Sequence, residues 1–184
     1  MTGRPGTGPV WVISGSPGAG KTTVSQALLR RFPLGLHLPV DDLREFVVSG
    51  LAEPSLDHPP EAARQFGLAR TAAAYSARLY AQAGFVVAVD DVLWPADLEP
   101  LAEQWQGLDV RPVLLAPGLE TVHARNAART NKTYDTGLLV PLINGLHPQM
   151  LPDLYREAGW AVIDSARLSV HQTVDALLTW EWPV

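Results

Sequence analysis

The octapeptide Gly15-Ser16-Pro17-Gly18-Ala19-Gly20-Lys21-Thr22 constrains this chain more than any other segment. It follows a short β-rich apolar run, Val10 to Ser14, and precedes residues spaced as one helix face, Val24, Leu28, Leu29 and Phe32. In the spacing G-x-x-x-x-G-K-[ST] between a strand and a helix, glycine lets the backbone turn left-handed and come close to phosphate oxygens. The backbone N–H groups then point inward as an anion nest, and the helix adds the positive end of its dipole. Lys21 is the point charge expected on the β- and γ-phosphates of a nucleotide. Thr22 would offer its hydroxyl to Mg²⁺, and Thr23 lies within reach of the α-phosphate. Gly15, Ser16, Pro17, Gly18, Ala19 and Gly20 complete the expected phosphate contacts.

The rest of the chain alternates short apolar runs with helical stretches. Leu36 to Val40, Phe85 to Val89, Val110 to Leu115 and Trp160 to Ile163 read as strands. Helices are expected over Thr22 to Phe32, Leu43 to Leu51, Glu61 to Ala83, Ala96 to Gln106, Pro117 to Arg129, Pro152 to Ala158 and Val170 to Trp182. The longest of these, Glu61 to Ala83, has Phe66, Ala69, Ala73 and Leu79 or Tyr80 available as a buried stripe. Gly137 to Pro148 is expected to be broken by Pro141, Gly145 and Pro148. Five strands alternating with helices predict an α/β domain with a parallel sheet. Residues 1–8 read as a flexible lead-in and residues 9–184 as a single domain.

Composition narrows the function classes. The chain has 184 residues and no cysteine, so one sizeable core is available while disulfides and thiolate chemistry are excluded. The net charge of -5, with basic residues scattered, argues against a broad nucleic-acid footprint. No apolar run is long enough for a membrane span, and the apolar stretch near the N-terminus is too short for a secretory signal, which predicts a cytoplasmic protein. The five histidines are isolated from one another and form no zinc spacing, so surface or structural roles are expected for them.

In an open α/β sheet, ligands gather at the carboxyl ends of the strands. Asp90-Asp91 closes the third expected strand, and Asp90 is the candidate for holding Mg²⁺, with Asp91 close behind. Asp41-Asp42 closes the second. Asp41 is the candidate base that takes the proton from a hydroxyl in an in-line phosphoryl transfer, and Arg44 could bind an anionic part of the acceptor. Asp42 offers the alternatives of sharing that role or capping a helix that starts at Leu43. Arg125 and Arg129, four apart on one helix, share a face that could close over the nucleotide, or Arg129 and Lys132 could complement the helix C-terminus. Trp94 and Asp91 are placed to line the acceptor site.

Together, the strand leading into GSPGAGKTT, the strand ending at Asp41, the VAVDDV segment from Val87 to Val92 and the helix carrying Arg125 and Arg129 resemble the small P-loop kinases, among them shikimate, gluconate and nucleoside-monophosphate kinases. Within that group the Asp-Asp-Val ending is most similar to chloramphenicol phosphotransferase-like enzymes. The stretch Asp41-Asp42-Leu43-Arg44 also resembles the Asp-Asp-Tyr-Arg of polynucleotide 5'-hydroxyl kinases. The resemblance implies a three-layer P-loop NTPase sandwich, a five-stranded parallel sheet of order 2-3-1-4-5 and a small lid between strands four and five. It also implies MgATP as donor, and Ser165, within Ile163 to Ala166, beside the adenine ring. The expected activity is an ATP- and Mg²⁺-dependent transfer of the γ-phosphoryl to a hydroxyl of a small molecule, an antibiotic or a metabolite, by a monomer or dimer. A polynucleotide 5'-hydroxyl kinase and a slowly hydrolysing nucleotide switch are the alternatives.

Overall fold

The computed structural model describes residues 6–53, 59–128 and 139–182. They form a parallel sheet of five strands, β1 (Val10–Ser14), β2 (Gly35–Pro39), β3 (Val86–Asp90), β4 (Val110–Leu115) and β5 (Ala161–Ile163). The order is β2-β3-β1-β4-β5, as the kinase resemblance implies. Period-2 alternation sorts the strand side chains onto two faces. Val10, Val12, Val87, Val89, Leu114 and Val162 enter one core. Trp11, Ile13, Val86, Ala88, Val113, Leu115 and Ile163 enter the other. Burial on both faces explains why β1, β3 and β5 read as nearly unbroken apolar runs.

Helices α1 (Lys21–Leu29) and α8 (Val170–Leu178) cover the second face, where Val24, Leu28, Val174 and Leu177 pack. The first face is covered by α3 (Pro60–Gln82), by α4 (Ala102–Trp105) with the 3₁₀ turn before it (Pro95–Leu101), and by α7 (Pro152–Glu157). Two further elements border the carboxyl edge with α2 (Val40–Glu45): α5 (Leu119–Ala127) and α6 (Val140–Leu146). Among the described residues no helix is long and apolar enough to cross a membrane.

The structure corrects several local expectations. Helix α2 starts at Val40 with Pro39 as its N-cap, so Asp41 and Asp42 sit in its first turn and Asp42 does not cap a helix beginning at Leu43. Pro141 and Gly145 do not break the chain as expected, since α6 runs through both and Pro141 falls in the first turn, where no intrahelical N–H is required, whereas at Pro148 the α-helix has given way to a 3₁₀ turn, His147–Gln149. The stretch from Pro95 begins as a 3₁₀ turn containing Pro100 rather than as an α-helix. Gly8, at the end of the expected lead-in, is buried and its N–H bonds Ala81 O at 2.9 Å.

Helix α3 departs most. Its buried face is Ala62, Gln65, Ala69, Ala73, Ala74, Ala77 and Ala81, whereas Leu79 is 67% and Tyr80 39% exposed. Small side chains let the helix lie close to the sheet, where the β-branched strand residues fill the space. A longer side chain on that face has nowhere to go. Ala77→Leu is therefore expected to cost about 1–3 kcal/mol of stability by overpacking, which urea denaturation would read as a lowered midpoint.

Candidate active site

The phosphate loop leaves β1 and enters α1 as its sequence demands. Gly18 adopts φ +89°, and a Cβ there would stand 2.8 Å from Val122 O. Gly20 caps α1 in the left-handed conformation at φ 101°. The loop closes on itself through Ala19 N–H to Ser16 O at 3.0 Å, and Lys21 Nζ donates to Gly15 O at 2.8 Å. Lys21 thus folds over the mouth of the nest.

A single cavity of about 970 Å³ runs from this loop across the carboxyl ends of β1, β2 and β3. Pro17 to Thr23 line its phosphate-loop end, with Arg125 and Ser165 beside them. Asp41, Asp42, Arg44, Asp91 and Trp94 line the other end, and Asp90 lies between. The parallel pairing of Ile13 with Asp90 sets the acid next to the strand that feeds the loop.

The two carboxylates that close β3 have separate partners. Asp90 Oδ2 is 2.7 Å from His37 Nε2, a β2 residue with its side chain 16% exposed. Asp91 is buried and accepts from Arg70 Nε at 2.6 Å and from Val92 N–H at 2.7 Å. Arg70, from α3, also reaches Asp97 at 3.3 Å and Val92 O at 3.0 Å. Burial pushes the Asp91 carboxyl up to about 6 against the pull of Arg70. Thr22 and Asp90 offer hard oxygen donors on the cavity wall, which fits Mg²⁺, an ion that takes few protein ligands and keeps several waters. No group of three or more candidate metal ligands occurs among the described residues.

Asp41 is exposed to the cavity from the first turn of α2. Arg44, one turn on, is 6% exposed, donates to Ala52 O at 2.7 Å and lies 4.6 Å above the Phe66 ring. Its guanidinium is thereby fixed at the cavity wall. Arg125 bridges the phosphate loop and the segment after β5, donating to Ala19 O at 3.0 Å and to Ser165 O at 2.7 Å. That places its charge against the loop backbone and Ser165. Arg129 and Lys132 lie outside the described residues.

These residues come together at one sheet edge, and one observation fixes the family. The chain matches the profile of AAA_33, described as an AAA domain, over residues 10–139. The chain belongs to the AAA_33 family. Several of the solved structures it resembles are kinases. The tunicamycin resistance protein of Deinococcus radiodurans is 21% identical with a TM-score of 0.60, covering 96% of this chain and 99% of its own. Shikimate kinase from Acinetobacter baumannii, solved with shikimate, is 20% identical at a TM-score of 0.64 and covers 94% and 92%. APS kinase from Mycobacterium tuberculosis, solved with AMPPNP and APS, is 16% identical at 0.66 and covers 95% and 97%. No curated protein matches the chain significantly.

Sequence reasoning missed Arg70, His37 and the role of Phe66, which it placed in a core stripe. Arg70 sits beside the alanine face of α3, where a cation flanking a row of buried small residues was the available signal. Because the folded Asp91 pKa lies above the free value of 3.8, the folded form holds the extra proton between about 6 and 3.8. This group's contribution to stability therefore falls as pH rises through that window. Arg70→Met leaves the buried carboxylate unpaired and is expected to cost about 3 kcal/mol near pH 8 and clearly less near pH 5, where Asp91 takes up a proton. Chemical denaturation at the two pH values, without divalent cations, reads the difference.

Proposed function

We propose that this AAA_33 protein is a kinase that uses MgATP to phosphorylate a hydroxyl of a small molecule. The observation that carries this is the continuous cavity in which the phosphate loop and the Asp41 carboxylate face the same space. MgATP supplies the γ-phosphoryl group. The backbone of Gly15 to Thr22 cradles the phosphates, Lys21 balances charge on the β- and γ-oxygens, and Thr22 and Asp90 hold the ion. Arg125 and Ser165 flank the nucleotide, Ser165 on the base side. Arg129 is proposed as a second lid cation.

At the acceptor end, Asp41 accepts the proton of the attacking hydroxyl as the new O–P bond forms and the bond to the β-phosphate oxygen breaks. Asp91, locked by Arg70, shapes the wall with Trp94, and Arg44 fixes the loop at Ala52 against Phe66. The carboxylates of Asp41, Asp42, Glu45 and Glu53 all line this end, which favours a small acceptor over a polyanionic strand.

Substitution separates the roles. Asp41→Asn is expected to lower turnover by about 10²–10⁴ while MgADP affinity stays within about twofold of wild type. Lys21→Ala is expected to weaken nucleotide binding and turnover together. Calorimetric titration with MgADP, paired with a coupled assay of ADP release on a panel of alcohols, checks both. Turnover in Asp41→Asn equal to wild type would remove Asp41 from the reaction.

A further inference from the structure

Ser16 occupies the second position of the phosphate loop and is only 2% exposed, so its hydroxyl has to find a partner inside the protein. That partner is the Nδ1 of His147, at 3.1 Å and 131 residues further along the chain. His147 is itself well anchored. It caps α6, whose Ile143 is fully buried, and its carbonyl accepts the N–H of Met150, a core residue. Helix α6 is tied in turn to α5 through His123 Nε2 and Asn144 Oδ1 at 2.9 Å.

The position of α6 gives this contact its meaning. Leu142 and Leu146 of the same helix line the cavity, so a single imidazole joins the phosphate loop to another of the cavity's walls. The loop is also braced by Gly18 packing on Val122 of α5 and by Arg125 at Ala19 O. Burial and the neighbouring His123 hold the His147 pKa below the usual histidine value, which keeps the ring neutral near pH 7 and its Nδ1 able to serve one hydroxyl.

We propose that His147 is a positioning residue for the phosphate loop, holding the Ser16 hydroxyl so that the loop keeps the shape that receives nucleotide phosphates. The proposal rests on the loop being a nucleotide site. It makes His147 part of nucleotide affinity although it is remote in sequence from every motif in the chain.

The test is a double-mutant cycle on MgADP affinity by calorimetry, with thermal unfolding of the nucleotide-free proteins alongside. His147→Ala is expected to weaken MgADP about tenfold, Ser16→Ala by a similar factor, and the double variant no further than either. His147→Asn, whose amide can stand near the place of Nδ1, is expected to restore most of the loss. If the alanine variant fails to fold, His147→Phe, which keeps the ring's bulk without a hydrogen-bonding nitrogen, carries the cycle in its place. Affinity unchanged in His147→Ala, losses that add in the double variant, or lowered thermal stability with intact affinity would each overturn the proposal. Wild-type protein that binds no MgADP would overturn the nucleotide reading as well, whereas wild-type binding with an unaffected His147→Ala overturns this proposal alone.

Discussion

The parallel pairing of β1 with β3, which sets Ile13 against Asp90, is the constraint on which the site depends. It delivers the phosphate loop at the end of β1 and an acidic pair at the end of β3 to one edge of the sheet. Pairing of β2 with β3 then places Pro39 opposite Asp90, so that α2, which follows, brings Asp41 to the same edge. Ser14 reinforces the arrangement, because its hydroxyl accepts from Leu93 N–H and donates to Leu93 O across 79 residues. A second bond to Leu93 O comes from the buried Tyr155 hydroxyl. The loop after β3 is thus held at its base before any ligand arrives.

Around that edge the carboxylates are divided by their partners. Asp91 is spent on an internal lock with Arg70, which crosses from α3 and also reaches Asp97. Asp90 is shared with a histidine of the neighbouring strand. Asp41 faces the cavity. A buried pair such as Asp91 with Arg70 gains little net stability once desolvation is counted, yet losing one partner is costly. Its contribution here is to fix the direction of the segment that carries Val92 to Trp94 along the cavity wall.

Much of this was legible in the sequence where local chemistry dictates it. The phosphate loop needs glycines at fixed positions and a strand and helix on either side, so Gly18 and Gly20 announce themselves. The strands were visible because both faces of the sheet are buried, leaving runs such as Val86 to Val89 unbroken by polar residues. Asp90 could be placed because it ends such a run. Residues whose partners are remote were not legible: Arg70 meets Asp91 across 21 residues, His37 meets Asp90 across 53, and His147 meets Ser16 across 131. The stripe of α3 was misjudged for a related reason. Leu79 and Tyr80 carry the greater hydrophobicity, but closeness to the sheet selects alanine, and that closeness is a property of the packed structure.

Transfer of a phosphoryl group to an alcohol rather than to water is the central claim, and phosphorus-31 NMR tests it most directly. The protein is incubated with MgATP and mixtures of hydroxyl-bearing metabolites and antibiotics, and the fate of the γ-phosphorus is followed. The expected result is a new phosphate monoester resonance that grows in step with ADP for one class of acceptor. ADP accompanied only by inorganic phosphate across the whole panel would contradict it.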